Sequence, residues 1–225
     1  RLLAPYSRRW AWLSIALLLL TNTFITETRA VSLEQMLACI TFAVFYLAYA
    51  ADHFSSARRL WLIYGLLVLG FLIRGPIGLI VPAAVLCSYH LFNRNGRQAW
   101  LSALVAVALL ALCTMTLLLL ARLAGGQALL AEVVRTQITA RLDAGDGSGP
   151  AFWYFSRSLG NYALAYPLAI VVLLAVGFTA RGQKNAALHL LYLCAIAGLT
   201  VMIGLSIPSA KKARFLLPML PPAAI

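Results

Sequence analysis

Long apolar runs separated by short polar links set the pattern of the chain. WAWLSIALLLL, LSALVAVALLALCTMTLLLLA and LAIVVLLAVGF are the clearest runs. Each is too continuous for the alternation of a half-buried strand, and the longest reaches the roughly 20 residues that cross a bilayer core as a helix. The pattern predicts spans at roughly 10–26, 33–50, 59–73, 76–92, 99–121, 162–179, 187–206 and 215 onward. The expected fold is all-α: a polytopic transmembrane bundle of about eight spans in residues 1–225, one transmembrane domain with no soluble domain. Spans 59–73 and 76–92 are parted only by Arg74-Gly75, with Pro76 opening the second, which reads as a tight helical hairpin.

The longest link, 122–161, has a different pattern. Leu130, Val134, Ile138 and Leu142 recur every four residues, while Glu132, Arg135, Gln137 and Arg141 fall elsewhere around the helix. This is the signature of an amphipathic helix lying in the membrane interface. DAGDGSGP then ends it, and the aromatic cluster AFWYF follows, suited to the headgroup level.

Composition agrees with the pattern. The chain is 63% hydrophobic with a mean hydropathy of +0.90, against roughly 45–50% apolar in a soluble domain. The formal net charge of +12 does not point to nucleic acid, because the cations sit at links between spans and form no aromatic-interleaved stripe. Anionic lipid and membrane topology account for them better. Cys39, Cys87, Cys113 and Cys194 lie within apolar runs, and no histidine has metal-ligand spacing. No metal or cofactor is assigned, although a divalent metal is compatible with the sequence.

Charge distribution separates the two faces. The 18 cations divide equally between the sides, so their count does not orient the chain. The acids do distinguish them: Glu27, Glu34, Glu132, Asp143 and Asp146 share one side, and only Asp52 lies on the other. The plain basic side has short links, like an ordinary cytoplasmic face. The mixed side carries the long link and is the expected functional face, directed outward.

Four stretches on that side carry candidate chemistry. In TETRAVSLEQM, Glu34 stands one turn into an apolar helix, with Arg29 ahead of it. An intramembrane carboxylate is a functional candidate, and the plainer alternatives are a pair with Arg29 or a favourable place at a helix N-terminus. In FLIRGPIGLIVP, Arg74 could meet a phosphate or simply snorkel. In SGPAFWYF, Tyr154 and its neighbours could line a sugar or lipid groove or anchor the loop. In SIPSAKKARFLLPMLPP, Lys211, Lys212 and Arg214 separate two apolar runs. A cation at the bilayer centre costs roughly 3 kcal/mol on insertion scales, so this cluster belongs at a surface or a wet cavity, against a phosphate or bulk headgroups. GxSxG, HExxH and a P-loop are absent from the sequence.

Taken in order, these stretches resemble the integral-membrane glycosyltransferases of the protein O-mannosyltransferase superfamily, especially the bacterial branch with the aminoarabinose transferases that modify lipid A. RAVSLEQM holds Glu34 where the family pattern has Asp. LIRGPIGLIVP holds Arg74 where it has Lys. KKARFLLPMLPPAAI matches a Lys followed by a Tyr-containing, proline-rich run, with Lys211 at the Lys and Phe215 for the Tyr. The resemblance implies a GT-C-like fold with an outward active site in a plasma or inner membrane. It implies a polyprenyl-phosphate (undecaprenyl-phosphate-like) sugar as donor and a lipid or protein acceptor. A phosphate leaving such a donor needs fixed cations, and Arg74, Lys211, Lys212 and Arg214 are the candidates, with Glu34, Arg29 and Tyr154 in support. The family's main catalytic acid falls in a loop N-terminal to residue 1, so residues 1–225 alone are expected to be inactive. The competing readings are a transporter or flippase for an anionic or lipid-linked substrate, and a structural subunit without a site.

Overall fold

The computed structural model describes residues 2–3, 6–29, 32–54, 58–135, 154–155, 165–179, 185–206 and 213–225. Among them every regular element is helical. The order is α1 (Arg8–Leu20), α2 (Asn22–Arg29), α3 (Leu33–Phe54), α4 (Arg58–Arg74), α5 (Pro76–Phe92), α6 (Gly96–Val134), α7 (Ala165–Thr179), α8 (Ala186–Ser206), a 3₁₀ helix (Ala213–Met219) and α9 (Leu220–Ala223). The all-α membrane class is therefore as expected, but the span count is not. Among the described residues three helices, α3, α6 and α8, are long and apolar enough to cross a membrane, or four if α1 and α2 count as one bent span.

Each departure has a local cause. The run expected as one span at 10–26 breaks at Thr21, where the backbone turns extended, and α1 and α2 meet at 62°. The Thr21 hydroxyl donates to the Leu17 carbonyl at 2.9 Å, the back-bonding that bends helices at Ser and Thr. Helices α4 and α5 have 17 residues each, only about 25 Å at 1.5 Å per residue. The run from 215 does not make an α-helical span. Its prolines remove the amides a long helix needs, and the chain forms a 3₁₀ turn and the four-residue α9 instead. The expected span at 99–121 runs on to Val134, into the predicted link, with non-helical backbone at Gly125 and Gly126. At about 58 Å the whole helix is nearly twice a 30 Å hydrocarbon core, and the diglycine kink lies where such a span must leave it. The described start of the predicted interfacial helix follows that kink; residues 136–142 of it lie outside the described residues.

The predicted α4–α5 hairpin is present and unusually close. Gly75 takes φ 66°, a conformation glycine adopts without strain, and Pro76 opens α5. A Cβ on Gly78 would fall 2.0 Å from the Gly70 carbonyl oxygen, and one on Gly70 would fall 2.2 Å from that of Gly78. The helices thus meet backbone to backbone, the small-residue contact that membrane helices use where apolar side chains gain nothing over lipid.

The centre is built from α3, α4, α5, α8 and the 3₁₀ segment, with α6 laid on α4 and α5. Phe45, Leu67, Leu79, Tyr89, Leu190, Met202, Leu216 and Leu217 are its buried side chains. Outward faces of α1, α6 and α7 show leucines, isoleucines and valines, the surface a bilayer accepts. At the end of the bundle where α5 finishes and α8 begins, Tyr89 Oη donates to Asp52 at 2.7 Å, and His189 bonds Asn93 at 2.9 Å while stacking on Phe92.

Candidate active site

Helix α3 begins and α4 ends at the other end of the bundle. Glu34 lies in the first turn of α3 and Arg74 is the last residue of α4. Each charge therefore sits at the helix end whose dipole favours it, an acid at an N-terminus and a base at a C-terminus. They meet across 40 residues of sequence: Arg74 Nη2 donates to Glu34 Oε1 at 2.6 Å. Both are largely withdrawn from the surroundings, with side-chain exposures of 5% for Glu34 and 20% for Arg74. A short charge-assisted contact of this kind is among the stronger hydrogen bonds in proteins. Removing one partner would take the counter-charge from the other.

A third group completes the arrangement. The guanidinium carbon of Arg74 lies over the Phe215 ring, 5.3 Å from its centroid. A cation within about 6 Å of a ring face is attracted by the ring quadrupole. Phe215 stands in the first turn of the 3₁₀ helix, whose next residues Leu216 and Leu217 are buried. Helix α2 is tied to α3 close by, where Gln35 donates to the Phe24 carbonyl at 3.2 Å and to the Thr28 hydroxyl. The end of α4, the start of α3, the start of α5 and the 3₁₀ segment thus converge on one guanidinium.

Of the predicted residues, the structure joins Glu34 and Arg74. Arg29 ends α2 with an exposed side chain, and it is not the partner of Glu34. The nearer cation in sequence was the simpler guess, but the α3–α4 packing brings Arg74 instead. Tyr154 is fully buried within the apolar core. The backbone of Arg214 belongs to the 3₁₀ helix. Its side chain, Lys211 and Lys212 lie outside the described residues. Phe215 is visible in the sequence only as a replacement for Tyr. Among the described residues no group of three or more His, Cys, Asp or Glu could hold a metal ion.

An apolar groove of about 700 Å³ runs between α1, α7, α8 and α9, walled by residues such as Leu17, Leu173, Leu191 and Ala195. Met219, Pro222 and Ile225 line it too, so the segment that carries Phe215 to the guanidinium also forms a wall of the groove.

Fold and site define a multi-pass helical membrane protein with a caged arginine at one end. The sequence model of the dolichyl-phosphate-mannose-protein mannosyltransferases matches residues 2–129, a stretch that includes both Glu34 and Arg74. The chain belongs to this family of membrane-embedded glycosyltransferases, whose sugar donor is a polyprenyl phosphate. No curated protein and no solved structure matches it.

Proposed function

We propose that the protein transfers a sugar from a polyprenyl-phosphate donor to a lipid or protein acceptor at the membrane face where α3 begins and α4 ends. Residues 1–225 act as one transmembrane unit, and this face looks outward from a plasma or inner membrane. The observation that carries the reading is the Arg74 guanidinium, partly buried among membrane helices and held at their end by Glu34 and Phe215.

The chemistry follows from the donor. The bond between the sugar's anomeric carbon and the phosphate oxygen breaks while the acceptor oxygen bonds to that carbon. Negative charge grows on the departing phosphate, and a fixed cation there stabilises the transition state. Arg74 supplies that cation, with a planar fork that matches phosphate. Lys211, Lys212 and Arg214, next to Phe215 in sequence, are the further candidates. The acceptor's proton goes to a carboxylate. Glu34 is engaged with Arg74 and acts as a supporting acid. Arg29 and Tyr154 are supporting residues. The groove of about 700 Å³ offers the donor's isoprenoid tail an apolar channel.

A transporter would need a broken span whose freed backbone groups hold substrate. The α1–α2 break is one candidate among the described residues. There the Thr21 amide and hydroxyl are both bonded to carbonyls of α1, so this break offers a substrate no Thr21 donor.

Membranes holding the full-length protein, supplied with radiolabelled polyprenyl-phosphate mannose, test the reading. Wild type should release label from the carrier, and a folded Arg74→Ala variant should not. Movement of intact lipid-linked sugar across the bilayer, with no release, would establish the transporter instead.

A further inference from the structure

We infer that Phe215 is a positioning residue for the donor phosphate, acting through Arg74; this rests on the reading of Arg74 given above. The guanidinium carbon lies over the face of the ring, 5.3 Å from its centroid. The ring's π surface attracts the cation without an acceptor atom. One guanidinium donor goes to Glu34 Oε1 at 2.6 Å. Held by the ring and by the carboxylate, the cation is placed from two sides before a ligand arrives. An arginine on a flexible stem would otherwise lose that freedom on binding.

The backbone around the ring supports this role. Phe215 is half-buried, while Leu216, Leu217, Met219 and Leu220 behind it are at most 1% exposed. The 3₁₀ segment is thereby anchored against α3 and α8, and the ring it presents is rigid. This segment also walls the apolar groove. A lipid-linked phosphate would thus meet a ring-set cation at its head and the same segment along its tail.

The test uses full-length protein in nanodiscs and two probes, polyprenyl monophosphate and the uncharged polyprenol. Phe215→Leu should weaken binding of the phosphate about tenfold, as loss of a desolvated cation–π contact implies, and leave polyprenol binding unchanged. Phe215→Tyr, which keeps the ring, should bind both like wild type. In an Arg74→Gln background, Phe215→Leu should cost nothing further. Should Phe215→Leu not fold, Phe215→Met carries the same comparison. Equal weakening of both probes, or an undiminished effect without Arg74, would show ordinary packing and overturn the inference. Phosphate binding that falls with Arg74→Gln but not with Phe215→Leu overturns this inference alone. Phosphate binding unmoved by Arg74→Gln overturns the assignment of Arg74 as well.

Discussion

Two glutamate–arginine pairs in the described structure show how differently the same chemistry can be used. Glu132 and Arg135 are three residues apart on the segment beyond the α6 kink, bonded at 3.0 Å, with side-chain exposures of 51% and 72%. Glu34 and Arg74 are 40 residues apart, bonded at 2.6 Å, with exposures of 5% and 20%. The first pair is a consequence of helical spacing, screened by its surroundings and marginal in energy. The second exists only because α3 and α4 fold against each other, and neither charge is easily released from it. A charge held so far from water, at a high cost of desolvation, is fixed in place before a ligand comes. That is the property needed to stabilise a departing phosphate.

Breaking the buried pair should have the largest effect. Arg74→Ala should lower donor turnover by a factor of about 100 or more, on the scale of removing a preorganised electrostatic group. It should also destabilise the protein by about 3 kcal/mol, since it takes the counter-charge from a buried carboxylate; turnover and detergent-phase melting read the two effects. Arg74→Lys keeps the charge but not the fork, and its turnover should fall between wild type and Arg74→Ala.

Next comes the hairpin that sets where Arg74 ends. Gly78→Ala places a methyl group against the Gly70 carbonyl, where only backbone could move. A loss of about 2–3 kcal/mol is expected from overpacking, with turnover falling in step, because Arg74 shifts with the end of α4. A variant that melts earlier but turns over donor normally would separate the hairpin from the site.

Tyr89→Phe removes a hydrogen bond to Asp52 at the opposite end. It should cost about 1 kcal/mol and leave the donor KM unchanged, which tests whether only one end carries function. The smallest effect belongs to the exposed pair: Glu132→Ala should change neither melting temperature nor turnover.

Much of this could be read from the sequence, for identifiable reasons. Helix α5 occupies the residues expected of a span, since Gly75-Pro76 and Asn93 mark its ends in any context, though it is shorter than a full crossing. Glu34 and Arg74 stood out because charges are rare in apolar runs. Their partnership was hidden, because Arg29 is closer in sequence and only tertiary packing selects Arg74. The break at Thr21 was hidden too, as a threonine beside LLLL carries little turn signal. So was the extension of α6, where RLAGGQALL is apolar enough for the helix to resume after its glycines. Residues 215–223 combine the hydropathy of a span with prolines that forbid its α-helix, and hydropathy alone favoured the wrong outcome. Phe215 was legible only as an aromatic; what it touches depends on a 3₁₀ segment that no periodicity announces.

The most direct test is a cryo-EM map of the full-length protein with polyprenyl phosphate bound. The account predicts the phosphate at the end where α3 starts, with an oxygen about 2.7–2.9 Å from the Arg74 guanidinium and Phe215 still beneath it. A phosphate held elsewhere, with Arg74 turned only to Glu34, would contradict the account and leave the buried pair a purely structural element.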